Sequence, residues 1–243
     1  MTATITMLRM ADQRPGIAQT LHKVTIFSGL TDSQLEFLTT RTVERKYGNG
    51  ELIFSEGDPC AGLFVVQSGN ARIFKSAASG REQVLSIEGP GSSVAELPVF
   101  DGGSYPASAQ ALNDTSMLFV SKQAFQALCL QHPEVALKVL KVVGARLRRL
   151  VGIIEELSFT TVRHRLTALL LRLAKDAQKS SGGAVEIVLN ANNQELAAQL
   201  GTVRELVSRN LSRLQAEGLI RMDGRSVVIP DIEKLAAELQ DAS

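Results

Sequence analysis

Several residue types are scarce in this chain of 243 residues: it has no tryptophan, two cysteines and three histidines. Cys60 and Cys129 stand far apart, so they provide neither a disulfide framework nor a metal-ligand spacing. No apolar run approaches the roughly 18 residues that a membrane-spanning helix needs, and residues 1–10 lack the apolar core of a secretory signal. These absences argue against a disulfide-rich secreted protein and a helical membrane protein. We expect the chain in the reducing cytoplasm, without membrane contact.

The three histidines stand too far apart in sequence to suggest a cluster. His22, His132 and His164 fall in different predicted elements, and residues 48–120 contain no histidine. A cupin-like metal enzyme needs a His/Glu cluster on its strands, so this class is excluded. The chain also lacks a phosphate-binding glycine loop of the nucleotide-hydrolase kind. We therefore expect a protein that is not an enzyme and holds no metal at such a cluster.

What the first half of the chain does have is a series of short apolar runs broken by glycine. Between residues 48 and 120 these runs recur about every eight to twelve residues, a rhythm that predicts an antiparallel β-barrel or sandwich. Residues 16–40 predict short helices that pack on the end of the barrel. Residues 91–109 break the rhythm and predict a strand, a helical turn and a glycine loop. This segment either lines a pocket or is an ordinary long connection.

Residues 133–157 predict one long helix with a narrow apolar seam. Pro133 suits the first turn of a helix, and apolar residues then follow a strict 3-4-3-4-3 spacing. That spacing is the a/d pattern of a coiled coil, which favours a parallel homodimer over a helix buried on one side of its own domain. The predicted seam consists of Leu140, Val143, Leu147, Leu150, Ile154 and Leu157.

The last third of the chain predicts a winged helix-turn-helix. Residues 162–177 have the period of an amphipathic helix, residues 180–183 predict a loop and residues 185–189 a strand. Two short helices follow, joined by a turn at Gly201-Thr202, and Asp223-Gly224 between two apolar runs is a hairpin signal. A barrel, a long helix and this last region together make the fold class α+β.

The second of these short helices has side chains suited to reading DNA. Arg204, Glu205, Ser208 and Arg209 share one face of the helix, opposite its apolar stripe. Arginine can bond guanine through two donors, and glutamate can accept from the cytosine amino group, as recognition in the major groove requires. Two alternatives remain. The face is simply solvated, or Glu205 forms a capping box with Thr202 as the N-cap and bonds backbone instead of a base.

The order of these regions, together with several motifs, resembles the Crp/Fnr family of bacterial transcription regulators over essentially residues 20–230. The matching segments are Gly50…Gly57-Asp58, Gly69, Ala95-Glu96-Leu97 with Phe100, and Leu200-Gly201-Thr202-Val203-Arg204-Glu205-Leu206-Val207-Ser208-Arg209. The resemblance implies a sensor barrel in residues 1–132, a dimerisation helix in 133–159 and a DNA-binding domain in 160–243. It also implies a cytoplasmic homodimer that binds a palindromic promoter site, works with RNA polymerase and changes transcription in response to a signal.

Within the family, Glu205, Ser208 and Arg209 match the Glu-x-x-Ser-Arg pattern of the Fnr-like branches. That match implies half-sites of the TTGA kind, with Arg209 on guanine, Glu205 on the opposing cytosine and Ser208 near a thymine. Arg204 matches a further arginine that cyclic-AMP receptor types use. A half-site intermediate between those of the Fnr-like and cyclic-AMP receptor types therefore remains an alternative. An alternative of a different class is a cyclic-nucleotide-binding regulatory subunit whose C-terminal domain acts on a protein partner.

The sensor region departs from two patterns of the family. Glu96 matches the pocket glutamate of cyclic-AMP receptors, but their phosphate-holding Arg-Ser pair falls at Pro106-Ala107 here, so cyclic AMP is not expected. The iron–sulfur type needs four cysteines, and two isolated ones do not hold that cluster. The candidate effector pocket comprises Glu96, Leu97, Tyr105 and Ser108.

Residues 105–111 resemble instead the nitrogen-oxide-responsive branch, whose type is the regulator of dissimilatory nitrate respiration and in which haem is proposed as the NO sensor. Haem is therefore a candidate cofactor, with His22 and His164 as alternative axial ligands between which the sequence does not choose. The sequence leaves open the effector, the target genes, and whether binding activates or represses transcription.

Overall fold

The computed structural model describes residues 16–177 and 184–239. Contacts within the chain divide it into two compact units. The first unit contains the residues up to Lys75 together with Leu85–Arg149, and the second contains Ser76–Val84 and the residues from Leu150 onward. The loop predicted at residues 180–183 lies outside the described residues.

Two antiparallel sheets form most of the first unit. Their strands are β1 (Thr42–Tyr47), β2 (Leu52–Phe54), β3 (Gly62–Ser68), β4 (Ala71–Ser76), β5 (Glu82–Glu88), β6 (Ser93–Val94), β7 (Ser108–Ala111) and β8 (Thr115–Ser121). One sheet has the strand order β1-β8-β3-β6 and the other β2-β7-β4-β5. The pairs β1/β8, β3/β8, β3/β6, β2/β7 and β4/β7 are antiparallel. The predicted β-rich, barrel-like domain is confirmed.

Short helices accompany these sheets. They are α1 (residues 16–23), a 3-10 turn at Thr25–Phe27, α2 (Asp32–Thr39), α3 (Glu96–Asp101) and α4 (Lys122–Gln131). Leu21 and Phe27 belong to the same apolar core as Leu63 and Leu118 of the sheet, so the helices predicted in residues 16–40 do pack on the barrel. Residues 91–109 form β6, α3 and the loop at Gly102-Gly103, in the predicted order.

The long helix α5 (Pro133–Phe159) begins at the predicted proline and extends two residues beyond the predicted end. Its first turns are anchored in the first unit, where Val135 and Val139 are buried in the apolar core and Val143 packs partly against it. Further along, the apolar seam is open to solvent: Leu140, Leu147 and Ile154 are each more than 60% exposed.

The second unit contains the predicted winged helix-turn-helix. Its elements are α6 (Val162–Ala177), β9 (Val185–Val188), α7 (Asn193–Leu200), α8 (Arg204–Ala216), β10 (Arg221–Asp223), β11 (Ser226–Ile229) and α9 (Ile232–Ala237). The strand order is β10-β11-β9, with the hairpin turn at Asp223-Gly224 as predicted. One apolar core joins α6, α7, α8 and the sheet through residues such as Leu170, Leu200 and Leu211.

Glycine is required at position 62 because β3 and β8 approach each other closely there. A Cβ atom at Gly62 would overlap the carbonyl oxygen of Val120 and the ring of Phe119, both on β8. Backbone atoms of a central strand cannot move aside cheaply, because β8 is also hydrogen-bonded to β1 on its other edge.

We expect Gly62→Ala to lower the free energy of unfolding by about 1–3 kcal/mol, the typical cost of overpacking a core. Gly48→Ala is the matched control, since a Cβ there meets its nearest neighbour at 3.9 Å. Chemical denaturation of both variants measures the difference. Equal stabilities of the two variants would contradict the proposed close approach of the strands.

Candidate nucleic-acid interface and effector site

The turn of the helix-turn-helix leaves Glu205 free of any capping role. Thr202 is buried and donates its backbone N–H to Ala197 O, so it closes α7 and does not open α8. The N-cap of α8 is Val203, which has extended backbone and no side-chain capping bond. The alternative in which Thr202 and Glu205 form a capping box is therefore not the one that the structure shows. Before α7, in contrast, Asn192 and Glu195 do form a capping box.

Helix α8 has one buried face and one exposed face. Val207, Leu211 and Leu214 are buried in the core of the second unit, and the Asn210 side chain donates to Leu206 O at 2.7 Å. The opposite face forms a shallow surface depression of about 450 Å³ lined by Arg204, Glu205, Ser208, Arg209 and Ser212. The first four of these are the residues that the sequence pattern brought together.

Ser212 is a member of this surface that the sequence prediction missed. It lies one helical turn beyond Ser208, so its spacing alone could have indicated it. Within the described residues, none of the charged side chains of this surface is held in an ion pair. Two guanidinium groups, one carboxylate and two hydroxyls are thus presented together, the donor and acceptor types that base edges and phosphates accept.

A three-residue ion cluster holds the C-terminal end of α8. Arg163 of α6 donates from Nε to Glu238 at 2.9 Å and from Nη1 to Glu217 at 3.1 Å. Glu217 is the C-cap of α8, where the negative end of the helix dipole disfavours a carboxylate. The hydrogen bond from Arg163 lowers the pKa of Glu217 below its usual value and so offsets that repulsion. The cluster orients α8 without occupying its exposed face.

In the first unit, the predicted pocket residue Glu96 is paired with an arginine of α5. Glu96 is the first residue of α3 and is 1% exposed. Arg146 donates from Nη1 to Glu96 Oε2 and from Nη2 to the backbone oxygen of Ser93, and Glu88 Oε1 lies 3.9 Å from the same guanidinium. The other carboxylate oxygen, Glu96 Oε1, has no hydrogen-bond partner among the described residues.

The same arginine borders a cavity of about 320 Å³. Its walls come from the loop between β5 and β6, from α5 and from the turn after α1, and its polar groups include Glu88, Ser92, Ser93 and Arg149. Arg146 is not among the site residues that the sequence predicted. Its pairing with Glu96 joins residues fifty positions apart, which no local spacing rule detects.

None of the four predicted pocket residues lines this cavity, and Glu96 meets it only through its partner Arg146. Tyr105 is buried, donates to Gly62 O at 3.1 Å and stacks on Phe54 with ring centroids 4.1 Å apart. Burial raises the pKa of its phenol. Ser108 accepts the backbone N–H of Glu56 at 3.0 Å, and Leu97 is half exposed on α3. The structure therefore places Glu96 beside α5 and employs Tyr105 and Ser108 in internal hydrogen bonds.

The positions that match a phosphate-holding pair offer no cation. Ala107 is a buried apolar residue, and Pro106 contributes only its backbone oxygen, which accepts from Lys75 Nζ at 3.2 Å. Lys75 is already ion-paired with Glu56. Because Arg146 is likewise engaged by Glu96, a cyclic phosphate would meet no unpaired cation among these residues.

The histidines do not fit a haem site at this cavity. His22 is exposed on α1, His164 lies on α6 in the second unit, and His132 Nδ1 is hydrogen-bonded to Gln34 at 2.8 Å. None of the three lines the cavity beside Arg146. The described residues also contain no group of three or more metal-ligating side chains. We therefore derive no chemistry through haem. Across the same residues, no helix is long and apolar enough to cross a membrane.

Comparisons with known protein families match both units. Residues 44–132 match the cyclic nucleotide-binding domain, and residues 164–238 match the Crp-like helix-turn-helix domain. Over 216 residues the chain is 32% identical to the CRP-like cAMP-activated global transcriptional regulator of Mycobacterium tuberculosis, covering 89% of this chain and 96% of that protein. It is 30% identical over 193 residues to the transcriptional activator protein Anr of Pseudomonas aeruginosa, covering 79% of each chain.

Among solved structures, the c-di-GMP-responsive global regulator CLP of Xanthomonas campestris is similar to this chain with a TM-score of 0.72 and 26% identity. The match covers 83% of this chain and 100% of that one. These relatives share one architecture, yet their names specify different signals, so the architecture alone does not identify the signal.

Proposed function

The chain belongs to the Crp/Fnr family of DNA-binding transcription regulators, and from that premise we propose that it binds a palindromic promoter site as a homodimer. The observation that carries the proposal is the exposed face of α8, whose charged and hydroxyl groups are held opposite a fully buried apolar face. The alternative of a regulatory subunit acting on a protein partner is not favoured, because the C-terminal unit matches a Crp-like helix-turn-helix.

We assign a separate role to each side chain of this face. Arg209 bonds guanine through two donors, Glu205 accepts from the amino group of the opposing cytosine, and Ser208 lies near a thymine. Arg204, at the first turn of α8, extends the contact toward the adjacent base pair. The absence of a capping bond at Glu205 supports this assignment, since its carboxylate is not used by the backbone.

The homodimer forms along the exposed seam of α5, and it sets the distance between two DNA half-sites. In a single chain the seam residues Leu140, Leu147 and Ile154 are exposed to water, and a second copy of the chain would bury them. We assign residues 1–132 to the sensor, 133–159 to dimerisation and 160–243 to DNA binding. We further propose RNA polymerase as a partner and the cytoplasm as the location.

The sensor unit takes a small-molecule signal, and the Glu96–Arg146 pair is where we propose that the signal reaches α5. The pair is a direct polar link between α3 and α5, and its arginine borders the cavity. On the resemblance of residues 105–111, we assign the chain to the nitrogen-oxide-responsive branch. The engaged cations near Pro106 and Glu96 support an effector other than cyclic AMP.

The role assigned to Arg209 predicts a loss of DNA affinity that depends on the DNA sequence. Arg209→Ala should weaken binding to a palindrome of TTGA half-sites by about 1–3 kcal/mol and relax specificity at one base pair. Fluorescence anisotropy at two salt concentrations, on this duplex and on one with the guanine replaced, measures both effects. Arg172→Ala, an exposed arginine of α6, is the control and should change neither affinity. Equal losses on both duplexes would identify a phosphate contact instead.

The seam predicts that one charge dissociates the dimer. Leu150→Glu would bring two like charges together in an apolar interface, where a buried unpaired charge costs several kcal/mol. Sedimentation should show a dimer for the unaltered chain and a monomer for this variant. Leu130→Glu is the matched control, since Leu130 is 83% exposed on α4, outside the seam, and should remain dimeric. A dimeric Leu150→Glu protein would remove the seam from the interface.

Because Pro106 and Ala107 provide no cation to bind a cyclic phosphate, we predict that cyclic AMP does not control this protein. Calorimetry should show no micromolar binding of cyclic AMP, and DNA affinity should not change when it is added. The double variant Pro106→Arg with Ala107→Ser restores a cation and a hydroxyl, so it should gain measurable binding. Micromolar binding by the unaltered chain, coupled to tighter DNA binding, would overturn the prediction.

A further inference from the structure

One arginine of α6 is hydrogen-bonded to the ends of two other helices. The Nη1 atom of Arg165 donates to Thr160 O at 2.6 Å and to Glu156 O at 3.3 Å, at the C-terminal end of α5. Its Nε atom donates to Leu200 O at 2.9 Å, at the last residue of α7. All of these residues belong to the second unit. A single guanidinium thus bridges the end of the dimerisation helix and the end of the first helix of the helix-turn-helix.

The chemistry of helix ends explains why an arginine serves this purpose. The last carbonyls of a helix lack partners within the helix and carry partial negative charge. The guanidinium is planar, always charged and presents donors in fixed directions, so it can satisfy two such ends at once. Arg165 is partly buried, and this burial lowers the pKa of its guanidinium.

The bond to Leu200 acts on the start of the DNA-reading helix. Leu200 is followed by Gly201, whose left-handed backbone (φ +64°) ends α7, and α8 begins three residues later at Arg204. A Cβ atom at Gly201 would overlap a methyl group of Leu157, so the last turns of α5 also lie directly against this turn. Two independent contacts therefore connect the end of α5 with the turn that sets the direction of α8.

We propose that Arg165 is a positioning residue that couples the last turn of α5 to the helix-turn-helix turn, and thereby sets the orientation in which α8 meets DNA. This inference rests on the proposed base-reading role of α8. Arg163, two residues earlier, differs in kind: it binds the side chains of Glu217 and Glu238 at the far end of α8 and, among the described residues, makes no hydrogen bond to α5. Arg165 instead bonds both the end of α5 and the end of α7.

The test compares specific with non-specific DNA binding, because this ratio is independent of how much protein is folded. Arg165→Met retains the apolar stem of the side chain and removes the donors, and Arg172→Met is the matched control on the same helix. We expect Arg165→Met to lower the ratio of affinities for the palindrome and a scrambled duplex of equal length by about tenfold. The slope of log affinity against log salt should stay unchanged, because no phosphate contact is lost. Arg172→Met should leave the ratio unaltered.

Other outcomes would contradict either the coupling role of Arg165 or the base-reading role of α8. An unchanged ratio together with a lower free energy of unfolding would leave Arg165 a purely structural residue and overturn the proposal. A salt slope reduced by about one would make it a DNA contact instead. If the unaltered chain does not distinguish the two duplexes, the base-reading role of α8 fails, and the coupling fails with it. If Arg165→Met does not fold, the same affinity ratio is measured on Arg165→Lys. Its single ammonium group replaces the planar guanidinium and cannot bond both helix ends at once.

Discussion

The buried ion pair between Glu96 and Arg146 is the interaction on which the arrangement of the first unit depends. A carboxylate removed from water is tolerated only when a cation and hydrogen bonds replace its hydration. Arg146 supplies both, and it also binds the backbone oxygen of Ser93, so β6, α3 and α5 are held at one point. Apolar packing of Val135 and Val139 holds the start of α5 against the core, and the ion pair adds a directional contact about two turns beyond Val139.

From this point, α5 serves three purposes along its length. Its first turns complete the apolar core of the first unit, its middle presents an exposed seam, and its last turn meets Arg165. One continuous helix therefore has a buried start, a middle whose apolar side chains face water, and an end whose carbonyl groups are bound by an arginine.

Local patterns predicted the fold well, and long-range contacts account for most of what they missed. The bounds of α6 and the Asp223-Gly224 hairpin follow from residues close in sequence, and both are confirmed. Sequence alone left the role of Glu205 undecided, and the structure excludes the capping alternative because Thr202 closes α7, which depends on how the two helices pack. Arg146 was missed as the partner of Glu96 for the same reason, because the two residues are fifty positions apart and no local pattern indicates their pairing.

The unpaired oxygen of Glu96 has a thermodynamic consequence for the first unit itself. A buried acceptor without a donor carries a desolvation penalty of about 1–3 kcal/mol. Glu96 is 1% exposed and does not line the cavity beside Arg146, so a molecule in that cavity does not reach this oxygen. The penalty therefore stays with the protein, at the contact between α3 and α5. A rearrangement that turned one of the protein's own donors toward this oxygen would lower the free energy of the unit by that amount.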